Sequence, residues 1–300
     1  MDVSAAETVI AWQGHEGPRV ARARGTDIIA CETCGFRHVV PLPEGPARAV
    51  PESGEPAEAA ASREWAELAL ADRLEAFARS LGPGRRRLLD IGAGHGEFLK
   101  YAKGLGWNGL GIEPSRQAAA QARAAGVEVL EGGFDARMSA GLGHFDVVNL
   151  TAVLASVPNP IEMLVLVRGL LEPRGMLCVS VPNDFSAFQI AAAQALRLAD
   201  WWIAPSGRLN YFDFESLSAL LERLGFDIAA RTTSFPTEAF LLMGEDGLRD
   251  PKRGHEAEAK RQRFDLALEH AGFRETRRCF YRALAQAGLG RDVILFARAP

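Results

Sequence analysis

The stretch Leu88–Ala102, reading LLDIGAGHGEFLKYA, holds the residues best spaced for chemistry. An apolar run ends in Asp90, glycines recur at Gly92, Gly94 and Gly96 around Ala93 and His95, and a helical pattern opens at Glu97. Glycines at a strand-to-helix turn let the chain reverse sharply and let a ligand lie against bare backbone. The free N–H groups of the following helix can then receive polar ligand atoms. A dinucleotide fingerprint asks for its third glycine three residues after the second, where this chain has Glu97, so the pattern is instead D-x-G-x-G-x-G. A second carboxylate, Glu113, closes the next apolar run in GLGIEPS. At a strand end this far beyond the glycine turn, it can accept both hydroxyls of a nucleoside ribose.

A third cluster lies near the beginning of the chain. Cys31, Cys34 and His38 have the spacing of metal ligands, with His15 available as a fourth. The same cysteines read alternatively as buried packing residues, and a redox pair is disfavoured because no βαβ pattern surrounds them. With four cysteines in all, no disulfide framework is expected, and a cytoplasmic setting suits the chain.

These residues need elements to position them. From Ser62 a helical stripe of Trp65, Leu68, Leu74, Phe77 and Leu81 runs to the stop at Gly82-Pro83-Gly84. Short apolar runs follow at 88–91, 110–112, 127–130, 147–150 and 176–181, separated by helical stretches, with further strands expected at 226–233 and 292–297. That rhythm predicts an α/β fold, a doubly wound, mostly parallel seven-stranded sheet covered by helices on both faces. Residues 1–40 read as a short, irregular knuckle segment in which IIACETCGFRHVV makes a strand, a cysteine turn and a second strand, and 41–61, rich in proline, glutamate and alanine, reads as a linker. Residues 62–300 form the main domain, with insertions at about 184–212 and 235–288. Ligands of such sheets bind beyond the carboxyl ends of the strands, so both insertions would roof the site.

Asp90 through Gly96, followed by Glu113, resembles the first two motifs of the class I S-adenosylmethionine (SAM) dependent methyltransferases, and residues 145–183 are similar to their fourth and fifth strand region. The resemblance implies a Rossmann-like fold with SAM as cofactor and S-adenosylhomocysteine as product. Asp90, Gly92, Ala93, Gly94, His95 and Gly96 would shape the methionine pocket, and Glu113 would hold the ribose. By position, Phe134 and Asp135 would lie near the adenine, and Asn149 and Thr151 near the sulfonium. More narrowly, the chain is similar to a bacterial group with an N-terminal CxxCGFxH knuckle, matched here by Cys31, Cys34, Gly35, Phe36 and His38. The same group has a stretch matched by Phe235, Pro236, Glu238, Phe240 and 241–244. The chain departs from many relatives at Ala155-Ser156, where they carry Glu-His, and at Arg208, where a histidine is common.

For the acceptor, Glu238, Tyr211 and Asp184 are the polar candidates on the roofing segments, with Glu238, in an otherwise apolar run, the first choice; it reads equally as a carboxylate favoured by a helix N-terminus. Residues 249–282 hold ten Lys or Arg against six Asp or Glu, a surplus that can draw an anion or merely face solvent. The formal net charge of −4 disfavours a general nucleic-acid partner, and no apolar run is long enough for a bilayer. The expected activity is therefore transfer of a methyl group to an oxygen, nitrogen or carbon of a small soluble acceptor. Two rival readings are a non-catalytic SAM-binding partner protein and a nicotinamide-dependent oxidoreductase.

Overall fold

A computed structural model describes residues 8–42, 60–84 and 86–300. Most of the expected linker, residues 43–59, lies outside the described residues.

The main sheet has seven strands: β5 (Arg87–Ile91), β6 (Asn108–Glu113), β7 (Glu128–Glu131), β8 (Phe145–Thr151), β9 (Leu171–Pro182), β11 (Asp227–Thr232) and β12 (Asp292–Arg298). Their spatial order is β11-β12-β9-β8-β5-β6-β7, and only β12 runs antiparallel to its neighbours. The chain leaves β5 in one direction to β6 and β7, then returns to β8 on the other side of β5. This reversal makes a topological switch point, and the carboxyl ends of β5, β6 and β8 frame the crevice outside it. Strands buried on both faces explain the continuous apolar runs in β5, β8 and β9.

One face is covered by α1 (Ala60–Leu81), α2 (Glu97–Gly104) and α3 (Arg116–Ala124), which bury Leu74, Phe77, Leu99 and Ala119 against Val147, Met176 and Phe296. The other face carries α5 (Pro160–Leu170) and α7 (Phe214–Arg223) over Leu89, Val148, Leu177 and Leu295. Local chemistry starts these helices where the sequence changes. Asn159 caps α5 ahead of Pro160, while Asp213 caps α7 through a reciprocal bond with Ser216. The chain between β11 and β12 forms α8 (Glu238–Leu242), α9 (Pro251–His270) and α10 (Arg274–Gln286).

The N-terminal segment has the expected strand, cysteine turn and second strand, preceded by two strands that were not anticipated. It forms β1 (Val9–Trp12), β2 (His15–Ala23), β3 (Thr26–Cys31) and β4 (Phe36–Val40). Gln13-Gly14 and Arg24-Gly25, all with positive φ, make the two tight turns. A pair of left-handed residues matches the twist of a two-residue hairpin. A fifth strand, β10 (Asn210–Tyr211), comes from the segment after β9 and pairs with β4. The knuckle is therefore docked, not set apart. Phe36 meets the Phe212 ring at 4.9 Å, Arg37 pairs with Asp213 at 2.7 Å, and Arg223 donates to the Cys34 carbonyl.

Phe36 is buried in the same cluster as the sheet's α7 face. Phe36→Ala should lower the stability of the whole chain by about 3 kcal/mol in a single urea transition. A transition of the main domain that stays at the wild-type midpoint would show that the knuckle folds independently.

Candidate active site

Asp90 is the penultimate residue of β5 and is 4% exposed. Parallel pairing sets it beside Asn149 of β8, whose Nδ2 donates to Asp90 Oδ1 at 2.6 Å. Burial pushes the Asp90 carboxyl up to about 6, against the opposing effects of the Asn149 bond and nearby Arg73. Thr151, two residues beyond Asn149, accepts from Asn149 at 3.2 Å and from Arg73 Nη1 at 2.8 Å. Arg73 of α1 thus enters the site over the Phe98 ring, and the reading of the sequence missed it. The signal was present: Arg73 falls three residues after Leu70 and four before Phe77, a cation on the core-facing stripe of α1.

The glycine turn has the anticipated backbone. Gly92, Gly94 and Gly96 all have positive φ, and a Cβ on Gly92 would come within 2.5 Å of Val153 Cγ2. The Gly92 and Ala93 N–H groups both donate to the Ile112 carbonyl, tying the turn to β6. Glu113, at the end of β6 and 6% exposed, accepts from Gly94 N–H at 2.9 Å and Ser115 N–H at 2.7 Å. Each carboxylate oxygen thus spends one lone pair on the backbone and retains capacity for a ligand hydroxyl. His95 lies exposed on the same turn. Gly132 N–H donates to the Glu113 carbonyl, which brings the loop holding Phe134 and Asp135 to the same edge. Phe134 is half-buried against the core, and Asp135 caps α4 (Ala136–Ser139) through a bond from Met138 N–H.

The three acceptor candidates occupy different settings. Asp184, just past β9, is 1% exposed and pairs with Arg208 at 2.7 Å through Oδ1. Its Oδ2 is buried with no hydrogen-bond partner among the described residues. Burial raises its carboxyl to about 7, outweighing the pull of Arg208. Tyr211 is fully buried in β10; its hydroxyl accepts from Ala204 N–H at 3.2 Å, and burial lifts its phenol to about 12. Arg208 also lies 6.0 Å from the Tyr211 ring and so joins both residues. Glu238 opens α8, 5% exposed, with no ion pair or hydrogen bond linking it to the other two among the described residues. At the position of the relatives' Glu-His pair, Ala155 accepts from the N–H groups of Leu209 and Asn210, and Ser156 donates to Gly207. Those residues hold the roof down.

Away from this edge, His15, Cys31, Cys34 and His38 place one donor atom each within 4.8 Å of one another. His38 uses Nδ1 on the Val39 carbonyl at 2.9 Å, which leaves Nε2 buried without a protein partner among the described residues. His15 Nδ1 lies 3.3 Å from Cys34 Sγ and 3.7 Å from Cys31 Sγ. Two thiols and two imidazoles, one oriented by a backbone carbonyl, fit a tetrahedral zinc ion. With burial foremost and Cys31 alongside, the Cys34 thiol rises to about 12, the penalty that a bound cation would relieve.

Asp90 gives a pH test. Its folded-state value lies above the 3.8 of a free carboxyl, so the stabilising protonated form is present at low pH and is lost as pH rises toward about 6. Asp90→Asn should abolish a decline in folding stability of about 3 kcal/mol between pH 4 and 6. Urea titrations of both proteins across that range check this, and identical pH profiles would contradict it.

Comparison with known proteins shows the family to which the main domain belongs. Residues 62–230 match the family described as a methyltransferase domain. The ubiquinone biosynthesis O-methyltransferase of Xanthomonas axonopodis pv. citri is 30% identical over 169 residues, which cover 52% of this chain and 69% of that protein. Among solved structures, a SAM-dependent methyltransferase from Archaeoglobus fulgidus aligns at 18% identity and a TM-score of 0.48 over 77% of this chain and 93% of its own. A putative sarcosine dimethylglycine methyltransferase from Galdieria sulphuraria aligns at 16% identity and 0.47 over 78% and 85%. No helix among the described residues is long and apolar enough to cross a membrane. The chain belongs to the SAM-dependent methyltransferase family.

Proposed function

We propose that this protein moves the methyl group of SAM to a small-molecule acceptor held beneath the segments after β9 and β11. The observation that carries the reading is the pairing of Asp90 and Glu113, both buried at the open crevice beside a turn of three left-handed glycines. SAM supplies a methyl group on a sulfonium, so the protein's task is largely to position the partners and exclude water. Glu113 would accept the ribose hydroxyls. The turn from Gly92 to Gly96, with Asp90, Asn149 and Thr151, would line the methionine end, and Phe134 and Asp135 the adenine.

An oxygen or nitrogen acceptor must lose a proton. Asp184 suits that role best, since a carboxylate with a vacant buried oxygen and a value near 7 is poised to receive a proton at neutral pH. Arg208 positions it. Tyr211, closed off and with its hydroxyl engaged, would set the shape of the roof, and Glu238 would contact the acceptor from α8. We assign a structural zinc to His15, Cys31, Cys34 and His38. Through β4 it braces β10, and hence the roof.

The loss of protein hydrogen bonds has to be separated from the loss of ligand bonds at Glu113. Alanine there would strand the N–H groups of Gly94 and Ser115, so it should cost stability as well as affinity. Glu113→Gln keeps an acceptor and should leave stability within about 1 kcal/mol while weakening S-adenosylhomocysteine about tenfold. Calorimetry checks this, and an unchanged dissociation constant would remove Glu113 from the site.

For Asp184, turnover on an acceptor found by screening small metabolites with labelled SAM should rise with pH through about 7, because the base must be ionised. Asp184→Asn should lower turnover at least tenfold and erase that limb, with S-adenosylhomocysteine affinity kept within threefold. A variant retaining the limb would exclude Asp184 as the base. Tight cofactor binding with no turnover across the screen would favour a non-catalytic SAM-binding protein.

A further inference from the structure

We infer that the groove between α1, α10 and the β11–β12 edge seats the acceptor, and that this acceptor is a small molecule with an apolar body and a carboxylate. The inference rests on the methyl-transfer reading above and adds the substrate class. The cavity measures about 190 Å³, room for roughly six water-sized groups. Its floor and one wall are apolar, from Leu68, Ala69 and Ala76 of α1, Ala230 of β11, and Ile294 and Phe296 of β12.

The charge along this groove is unbalanced. Six arginines line it (Arg73, Arg79, Arg231, Arg277, Arg278 and Arg282) against three acids, Asp72, Glu75 and Asp265. Those acids are already engaged. Asp72 takes Arg277 at 2.8 Å and Arg278 at 2.7 Å, Glu75 takes Arg79 at 2.5 Å and also Arg278, and Asp265 accepts from Trp65 and Tyr281. From behind, Glu269 and Glu275 take up further charge from Arg277, Arg79 and Arg282, each at 3.4–3.6 Å. Arg231 remains without a carboxylate at ion-pair distance among the described residues, whereas Arg73 is balanced by the nearby Asp90. Arg277, 4% exposed, keeps a buried Nε–H with no acceptor among the described residues. An unused donor and one cation without a carboxylate partner on an apolar groove complement an anionic head on an apolar body.

Arg73 also connects this groove to the methyl-transfer edge. It lines the cavity and donates to Thr151, which bonds Asn149, which in turn bonds Asp90. Thr233 and Ser234, where β11 reaches the carboxyl edge of the sheet, line the same groove. A molecule lying there would touch Arg73, whose guanidinium reaches Thr151 at the carboxyl end of β8. A neutral acceptor would leave Arg231 uncompensated.

The test uses the full chain with octanoate as the anionic probe and 1-octanol as its uncharged counterpart, both titrated calorimetrically alongside S-adenosylhomocysteine. Octanoate should bind at least tenfold more tightly than octanol. Arg231→Gln should remove that preference, and Ala69→Trp, which fills the groove from an exposed helix position, should abolish both. Both variants should bind S-adenosylhomocysteine within threefold of wild type, and octanoate should compete with the acceptor identified by screening. Equal binding of the two probes, or octanoate binding untouched by both variants, would overturn the groove assignment while leaving the methyltransferase reading intact. Failure of the wild type to bind S-adenosylhomocysteine would overturn that reading, and with it the groove's role as an acceptor site.

Discussion

Two carboxylates buried within one crevice set the terms for the rest of this structure. A charge taken out of water is costly unless paired or hydrogen-bonded, and Glu113 adds to the burden on Asp90. The protein meets the cost differently at each. Glu113 is held by two backbone N–H groups, from the glycine turn and from the start of α3. Asp90 has one side-chain donor, Asn149, and the field of Arg73, and its carboxyl accordingly stays high. The positive φ of Gly94 is part of that arrangement, because its N–H must turn toward β6 to reach Glu113. Both carboxylates also fix the neighbouring elements: α1 through Arg73, β8 through Asn149, and α3 through Ser115.

The roof depends on a second linkage. The segment after β9 is clamped from below by Ala155 and Ser156 and from the side by β4, which pairs with β10. Asn210 adds bonds from its side chain to the Leu154 and Val157 carbonyls. Arg37 spans the join, paired with Asp213 and stacked 4.8 Å from the Phe185 ring. The four donors of the knuckle thus lie on and beside the strands that hold β10. In this arrangement a metal would act at a distance, by holding β3 and β4 in the shape that β10 requires.

The third region is the arginine-rich helix pair. Much of the basic surplus of residues 249–282 is neutralised within the protein, since Arg278 alone meets Asp72, Glu75 and Glu275. Isolated surface pairs contribute little, but this network is partly buried, with Arg277 and Arg278 at 5% and 10% side-chain exposure. Its effect is to fix α10 against α1 and so hold the groove between them open. Arg231, outside the network, is left facing the groove.

Much of the main domain was legible along the chain because it is written in local terms. Strand-length apolar runs, glycines at a strand end and a carboxylate closing the next strand are fixed by backbone geometry and burial, which act over a few residues. Asp90, the glycine turn and Glu113 could therefore be named from order and spacing, and Asn149 and Thr151 from the resemblance of the fourth-strand region. The hairpin strands β1 and β2 left only the turn pairs Gln13-Gly14 and Arg24-Gly25 as a signal, weaker than Asn-Gly and easily passed over. What joins distant segments was not written locally. The approach of Arg73 to Thr151 spans 78 residues and that of Arg208 to Asp184 spans 24, and β10 pairs with a strand from the N-terminal segment, β4. A side chain's partner across such a distance is decided by packing: which buried group lacks a donor, and which surface the neighbouring element has already filled. The sequence by itself therefore determined the sheet and the chemistry of its edge, and only the tertiary structure decided which cations and roof segments would meet there.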